Sequence, residues 1–210
     1  MVINKLITEL KSELAKELPS DKAHQRMMPP NRVAELLKNR QNATTKLSSV
    51  LILLYPKENE LYTVFIKRQE YKGVHSGQIA FPGGKYEKED LDFINTALRE
   101  ANEEIGIDVS FVEILGELSE LFIPPSNYLV FPVVAYMPFY PVFKPQIKEV
   151  NTIIEVRLSD LLSPENVSEN EFNGVGNKKI IAPCYIFNNY KVWGATAMIV
   201  SELIDVLNNI

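Results

Sequence analysis

An apolar run at 48–55 constrains the fold of this chain more than any other segment. It reads Ser-Ser-Val-Leu-Ile-Leu-Leu-Tyr, with no polar residue between Ser49 and Tyr55, and such a continuous run is typical of a buried β-strand. A polar turn at 57–60 follows, and strand-like composition returns at 61–67. Two such runs around a short polar turn predict a β-hairpin.

Helices and strands interleave along the rest of the chain. Helical spacing of apolar residues predicts helices at 3–17, 31–38, 90–105, 159–162 and 195–207. Composition predicts further strands at 79–81, 112–121, 129–136, 151–157, 179–187 and 191–193, with polar loops at 69–78 and 163–177. This order predicts one α/β domain with a mixed sheet. We expect residues 1–45 to form a helical extension packed on a main domain at 46–210.

Composition excludes several classes of function. The 27 acidic residues outnumber the 22 basic ones, for a net charge of −5, which argues against a non-specific nucleic-acid binder. Cys184 is the one cysteine, so neither an intrachain disulfide nor a zinc cluster of cysteines is expected. With only His24 and His75 as imidazole donors, a bound metal would take mainly oxygen ligands, which favours Mg²⁺, Mn²⁺ or Ca²⁺.

Hydrophobic patterning argues against a membrane protein. No stretch approaches the roughly 20 apolar residues of a membrane span. The amphipathic N-terminus carries acidic residues and lacks the apolar core and cleavage site of a signal peptide. We therefore expect a cytoplasmic protein with no membrane partner and no nucleic-acid partner, for which a homodimer is one compatible assembly.

Three glutamates crowd the end of the predicted helix at 90–105. Glu100 is followed by Glu103 at i+3 and Glu104 at i+4, so all three carboxylates lie near one another. They also lie at the helix C-terminus, where the helix dipole disfavours each negative charge by about 0.3–1 kcal/mol. A solvated acidic surface is one interpretation. A bound divalent cation is the better one, because its charge removes both penalties.

A tight bend precedes that helix. Phe-Pro-Gly-Gly at 81–84 combines a proline with two glycines, which allow the backbone to approach a ligand closely and to expose a carbonyl group. The pair Gly83-Gly84 alone would indicate only a turn. Next to the acidic helix it predicts part of a ligand site.

The segment from Gly84 to Ile107 resembles the Nudix box. Five residues separate Gly84 from Asp90, and eight more lead to Arg-Glu-Ala-Asn-Glu-Glu-Ile-Gly-Ile at 99–107. The Nudix signature runs Gly-x5-Glu-x7-Arg-Glu-U-x-Glu-Glu-x-Gly-U, where U is aliphatic. Here Asp90 replaces the first glutamate, one extra residue precedes Arg99, and Ala101 stands where a larger aliphatic residue is usual. The resemblance implies the Nudix fold, an α/β/α sandwich with a mixed β-sheet.

Nudix proteins mostly hydrolyse a nucleoside diphosphate linked to another moiety, with Mg²⁺ or Mn²⁺. The resemblance therefore implies that Glu100, Glu103 and Glu104 bind the metal, together with the carbonyl oxygen of Gly84. It implies catalytic roles for Glu103, for Glu100 and for Arg99, which would orient the glutamates. Any one of the three glutamates, Glu100, Glu103 or Glu104, could also be the general base.

Upstream residues are similar to the coenzyme A pyrophosphatase branch of this family. Arg68, Gly77 and the bend at 81–84 match its pattern in register, and the extra residue before Arg99 occurs there too. This similarity implies hydrolysis of CoA or acyl-CoA to 3′,5′-ADP and (acyl-)4′-phosphopantetheine. Arg68, Lys72 and Gly83 would bind the substrate. Two alternatives are another nucleoside diphosphate substrate (a nucleotide sugar, NADH or a damaged nucleotide) and a non-catalytic Nudix ligand sensor.

Overall fold

The apolar run at 48–55 forms a central strand of a mixed sheet. The structure is a computed structural model and describes residues 2–30, 32, 42, 44–70, 76–173 and 179–210. The strands are β1 (Lys46–Lys57), β2 (Glu60–Arg68), β3 (Ile79–Ala80), β4 (Gly83–Lys85), β5 (Glu113–Glu117), β6 (Leu121–Ile123), β7 (Tyr128–Tyr136), β8 (Val150–Arg157), β9 (Val167–Asn173), β10 (Lys179–Phe187) and β11 (Tyr190–Trp193). The α-helices are α1 (Val2–Leu14), α2 (Asp21–Arg26), α3 (Phe93–Ile105), α4 (Leu158–Leu162) and α5 (Gly194–Leu207).

The predicted hairpin is present, but its two strands diverge. β1 pairs with β2 only next to the turn, from Leu54↔Thr63 to Lys57↔Glu60. Beyond that point β3 pairs with β2 and β4 pairs with β1, so the segment 79–85 fills the gap between them. This insertion brings the Gly83-Gly84 bend into the interior of the sheet.

The remaining strands of this sheet flank the hairpin. β7 runs parallel to β1 along its length, β8 pairs antiparallel with β2, and β5 and β6 both pair antiparallel with β7. The prediction of one strand at 112–121 was wrong, because the pairing with β7 is interrupted between β5 and β6. There the amide of Ser119 donates to the carboxylate of Glu202 at 3.1 Å and is not used in a strand ladder.

Helices cover both faces of the sheet, as an α/β/α sandwich requires. Leu51 and Leu53 lie in an apolar cluster with Ala97 and Ala101 of α3. Ile52 lies in a second cluster with residues of α5 and α1. The alternation of β1 side chains between two helical layers explains why every position of the run is apolar. The predicted fold class is confirmed.

A second sheet contains β9, β10 and β11, all antiparallel. The prediction of a polar loop at 163–177 was wrong for 167–173, because β9 pairs with β10 from Tyr185↔Val167 to Lys179↔Asn173. Its exposed glutamates, Glu169 and Glu171, are compatible with an edge strand but hide the strand in the sequence.

The described N-terminal residues pack on the body of the protein. Ile7, Leu10 and Leu14 of α1 belong to the same buried cluster as α5. The helix predicted at 3–17 ends at Leu14, and the helix predicted at 31–38 lies, apart from Arg32, outside the described residues. The division into 1–45 and 46–210 stays a prediction. None of the helices in the described ranges is both long and apolar enough to cross a membrane.

A buried carboxylate attaches α2 to α5. Glu202 accepts hydrogen bonds from the amides of Ser20 and Ser119, and its Oε2 lies 3.0 Å from Nε2 of His24. Burial by itself would raise the pKa of Glu202, but the hydrogen bonds from His24, Ser119 and Ser20 outweigh burial and lower it. The N-terminal segment is thus anchored through a buried polar network.

Candidate active site

The helix α3 presents the glutamates at its C-terminal end. It begins after Asp92, whose carboxylate caps the helix by accepting from the amide of Asn95 at 2.7 Å. It ends at Ile105, and the Gly106 that follows has a left-handed backbone, with φ of 69°, which suits a helix terminus. The predicted start at residue 90 was therefore three residues early. Residues 90–92 instead form the turn that leads into the helix.

Glu104 is the most deeply buried of the three glutamates, with 2% of its surface exposed. Its Oε2 accepts a hydrogen bond from the amide of Gly83 at 2.8 Å, and its Oε1 lies 3.8 Å from Nη2 of Arg68. Burial raises its pKa to about 7, although Arg68 and the Gly83 amide act in the opposite direction. The nearby positive charge and hydrogen bonds therefore do not fully compensate for the burial of this carboxylate.

Glu100 packs directly on Gly84. A Cβ atom added to Gly84 would collide with the carboxyl carbon and both carboxylate oxygens of Glu100. Only glycine therefore permits this approach of β4 to α3. Burial raises the pKa of Glu100, and the guanidinium of Arg99 offsets part of that effect.

Arg99 organises the acidic groups around it. It binds Asp90 through two hydrogen bonds of 2.9 and 3.0 Å, and its Nη1 donates to Glu100 at 3.0 Å. Its Nη2 also donates to the carbonyl oxygen of Lys85. These contacts lower the pKa of Asp90 and raise that of Arg99. Asp90, the departure from the Nudix pattern, fixes the orientation of the arginine that contacts Glu100.

Glu103 lies farther out, with 57% of its side chain exposed and Arg99 Nη1 at 3.4 Å from its Oε2. Among the described residues, no group of three or more carboxylate, imidazole or thiol side chains is arranged so that it could hold a metal ion as it stands. Glu100, Glu103 and Glu104 are an open set of oxygen donors. Its chemistry fits a hard divalent cation such as Mg²⁺ or Mn²⁺, because all donors are carboxylates and two of them have pKa values raised by burial.

The predicted substrate-binding residues are only partly described. Arg68 donates from Nη2 to the carbonyl oxygen of Gly83 at 2.9 Å, at the edge of the carboxylates. Gly83 is buried, and a Cβ atom there would meet the backbone of Ser49 and Val50. Its amide donates to Glu104 and its carbonyl oxygen accepts from Arg68. Lys72 falls in 71–75, outside the described residues.

One acidic residue near this site was missing from the sequence prediction. The charge of Glu149 adds to burial in raising the pKa of both Glu100 and Glu104. Its carbonyl oxygen accepts from the amide of Gln69, next to Arg68. Glu149 stands directly before β8, in the sequence Lys148-Glu149-Val150, and no motif around it marks it as a site residue. Only the pairing of β8 with β2 brings it to the glutamates of α3.

Comparisons with known proteins show which family this chain belongs to. A family model described as the NUDIX domain matches residues 45–182. The chain is 35% identical over 165 residues to proteins named uncharacterized Nudix hydrolase NudL from Yersinia pestis (strain Pestoides F) and Yersinia pseudotuberculosis serotype O:1b (strain IP 31758). Each alignment covers 77% of this chain and 80% of the relative.

A solved structure shows the same fold. The crystal structure of the MutT protein from Methanosarcina mazei Go1 superposes with a TM-score of 0.51 at 17% identity, and covers 79% of this chain and 96% of that one. The family model extends over more than half of the chain and includes the whole acidic site. The chain therefore belongs to the Nudix hydrolases, a family of pyrophosphohydrolases that typically use divalent metals.

Proposed function

We propose that this Nudix hydrolase cleaves the diphosphate bond of CoA or acyl-CoA. Water adds to one phosphorus and the bridging P–O bond breaks, which yields 3′,5′-ADP and 4′-phosphopantetheine or its acylated form. The observation that carries the proposal is the position of Arg68. This residue of the CoA pyrophosphatase-like pattern lies at the edge of the carboxylates, with its Nη2 3.8 Å from Glu104 and 30% of its side chain exposed.

A diphosphate substrate requires positive charge at this acidic site. Glu100, Glu103 and Glu104 would hold Mg²⁺ or Mn²⁺, with the Gly84 carbonyl as a further ligand. The bound metal would neutralise the charge on the diphosphate oxygens and lower the pKa of a bound water. Arg68 adds a fixed cation at the edge of the site, and its planar guanidinium would present several donors to the 3′-phosphate of CoA. The exposed carboxylate of Glu149 would add negative charge that favours cation binding.

The carboxylates also supply a base for the attacking water. Arg99 holds Glu100 by a 3.0 Å hydrogen bond and leaves Glu103 largely exposed. A side chain that accepts a proton from water must reach it directly or through one further water. Glu100, Glu103 and Glu104 are the candidates, and the separate effects of Glu100→Gln, Glu103→Gln and Glu104→Gln on the pH dependence of kcat would distinguish them.

Product analysis tests the proposal. The protein is incubated with CoA, NADH, ADP-ribose and nucleoside triphosphates in the presence of Mg²⁺ or Mn²⁺, and the products are separated by chromatography. We expect 3′,5′-ADP and 4′-phosphopantetheine from CoA, at a higher kcat/KM than for the other compounds. Preferential cleavage of NADH or ADP-ribose would assign a different diphosphate substrate. Tight binding without turnover of any compound would indicate a ligand sensor.

A further inference from the structure

A buried threonine lies behind the arginine of the acidic site. Thr96 is fully buried near the start of α3. Its Oγ1 lies 2.9 Å from Oδ2 of Asp90 and 3.2 Å from the carbonyl oxygen of Asp92. Thr96 belongs neither to the acidic motif at 99–107 nor to the glycine bend at 81–84, so the sequence alone gives its hydroxyl group no function.

The hydroxyl group of Thr96 has one proton to donate, and this proton goes to Asp90. Both oxygens that the hydroxyl faces are acceptors, while a hydroxyl is a single donor. The carbonyl oxygen of Asp92 already accepts from the amide of Thr96 at 3.1 Å. The carboxylate of Asp90 lies closer to the hydroxyl and is charged, and hydrogen bonds to charged acceptors are the stronger ones. Thr96 is therefore a donor to Asp90.

Asp90 links Thr96 to Arg99. Its Oδ1 accepts from Nε of Arg99 at 2.9 Å, and its Oδ2 accepts from Nη2 of Arg99 at 3.0 Å. Oδ2 also accepts from Thr96 and from the amide of Glu87 at 3.0 Å. Apart from Arg99 itself, Thr96 and Glu87 are thus the donors among the described residues that anchor this carboxylate.

The guanidinium of Arg99 carries this orientation to the glutamates. Its two hydrogen bonds to one carboxylate form a bidentate pair, which fixes the plane of the guanidinium. Its Nη1 then donates to Glu100 at 3.0 Å and lies 3.4 Å from Oε2 of Glu103. Without the bond from Thr96, rotation of the Asp90 carboxylate would turn Arg99 with it and displace Glu100.

We propose that Thr96 is a positioning residue for the metal-binding carboxylates and acts through Asp90 and Arg99. The proposal rests on the proposed function only in its metal site, and not in the identity of the diphosphate substrate. Four residues share one face of α3 at i, i+3, i+4 and i+7 spacing, namely Thr96, Arg99, Glu100 and Glu103. The functional face of this helix thus begins one turn before the acidic motif.

The test is Thr96→Val, which replaces the hydroxyl group by a methyl group of similar size. Mutation of residues that support metal ligands lowers metal affinity or activity by about 10- to 100-fold. Because Thr96 acts through two other residues, we expect the lower end of this range. The Kd for Mn²⁺, measured by titration calorimetry on the metal-free protein, should rise about tenfold. The kcat for CoA hydrolysis should fall about tenfold, with little change in KM.

Thr96→Ser and Thr63→Val are the controls. Serine keeps the donor, so Thr96→Ser should retain the wild-type Kd and kcat. Thr63 is also fully buried, lies in β2, and its Oγ1 has no hydrogen-bond partner among the described residues. Thr63→Val therefore makes the same substitution without breaking a hydrogen bond, and both values should stay unchanged.

Asp90→Asn tests the route from Thr96 to the glutamates. This variant should raise the Kd for Mn²⁺ at least as much as Thr96→Val does. Thr96→Val should then add little in the Asp90→Asn background, because the effects of residues in one hydrogen-bond network are not additive. An unchanged Kd in Asp90→Asn, or fully additive effects in the double variant, would overturn the proposal.

Mn²⁺ binding separates this proposal from the choice of substrate. A wild-type Kd in Thr96→Val, or an equal loss of affinity in Thr96→Ser, overturns the role of Thr96 whatever compound the protein cleaves. If the wild type binds Mn²⁺ but does not hydrolyse CoA, the proposed substrate fails, and the Mn²⁺ titrations still decide the role of Thr96. If the wild type does not bind Mn²⁺, the metal site fails and the role of Thr96 with it.

Discussion

The amide of Gly83 donates a 2.8 Å hydrogen bond to Oε2 of Glu104, a residue 21 positions later in the chain. The carbonyl of the same glycine accepts from Arg68 at 2.9 Å. One peptide segment therefore orients the buried acid of α3 and the cation at the end of β2. The bend at 81–84 can do this because it is inserted between the diverging strands β1 and β2.

Glu104→Gln should remove most activity without unfolding the protein. The glutamine oxygen can still accept from Gly83, and the substitution removes a buried charge. Mutation of residues that only hydrogen-bond to a metal ligand lowers activity or metal affinity by about 10- to 100-fold. Glu104 is proposed as a ligand itself, so we expect its substitution to lower activity by at least about a hundredfold. Wild-type turnover by this variant would contradict the metal assignment.

The same variant tests metal binding directly. A ligand present at about 100 times its Kd stabilises the folded state by about 2.7 kcal/mol. Millimolar Mg²⁺ or Mn²⁺ should therefore raise the Tm of the wild type, and Glu104→Gln should lose most of that increase. Thermal unfolding with and without the metal measures it. Equal metal-dependent shifts in both proteins would exclude Glu104 as a ligand.

Gly84→Ala should separate Glu100 from β4. The added Cβ collides with the Glu100 carboxylate, and we expect kcat/KM to fall at least tenfold, with a destabilisation of about 1–3 kcal/mol from overpacking. Gly116→Ala is the matched control, because its Cβ would approach Leu14 at 2.8 Å, in α1. The control should lose stability but keep its kcat/KM. A comparable activity loss in both variants would attribute the effect to general strain.

Arg68→Ala should weaken discrimination of the CoA 3′-phosphate. One charged hydrogen bond contributes about 1.5–3 kcal/mol, which corresponds to roughly a 10- to 150-fold change in kcat/KM. The measurement compares CoA with 3′-dephospho-CoA on the wild type and the variant. If Arg68 contacts that phosphate, the variant loses its preference for CoA. A preserved preference would show that another group, such as Lys72, recognises it.

Glu202→Gln should destabilise the protein at pH 7 by about 1–3 kcal/mol. The carboxylate accepts hydrogen bonds from several donors around it, and the NH₂ group of glutamine would face one of those donors and could not accept from it. The folded-state pKa of Glu202 lies below the ordinary value of a glutamate carboxyl, about 4.5, because His24, Ser119 and Ser20 donate hydrogen bonds to it. Its ionisation therefore stabilises the fold above about pH 4.5, and this stabilisation is lost as the pH falls through the folded-state value. Urea unfolding at pH 7 and pH 4 should show a smaller difference between variant and wild type at pH 4. A difference that is independent of pH would contradict the prediction.

Local patterns were sufficient for the central elements of the fold. β1 is recognisable because both of its faces are buried, and α3 because its apolar positions recur at helical spacing. β9 was missed because an exposed edge strand can carry glutamates at Glu169 and Glu171. The break between β5 and β6 was missed because Glu202, which accepts from the Ser119 amide in that break, lies 83 residues away in the chain.

The sequence by itself determined the family, the acidic helix end and the glycine bend, since these depend on residues within one short stretch. Tertiary structure decided which carboxylate is buried, because burial of Glu104 depends on the approach of Gly83 from another strand. It also brought Glu149 and Gln69 to the site through the pairing of β8 with β2. Contacts between distant segments depend on how strands pair and layers pack, and no local pattern encodes those distances.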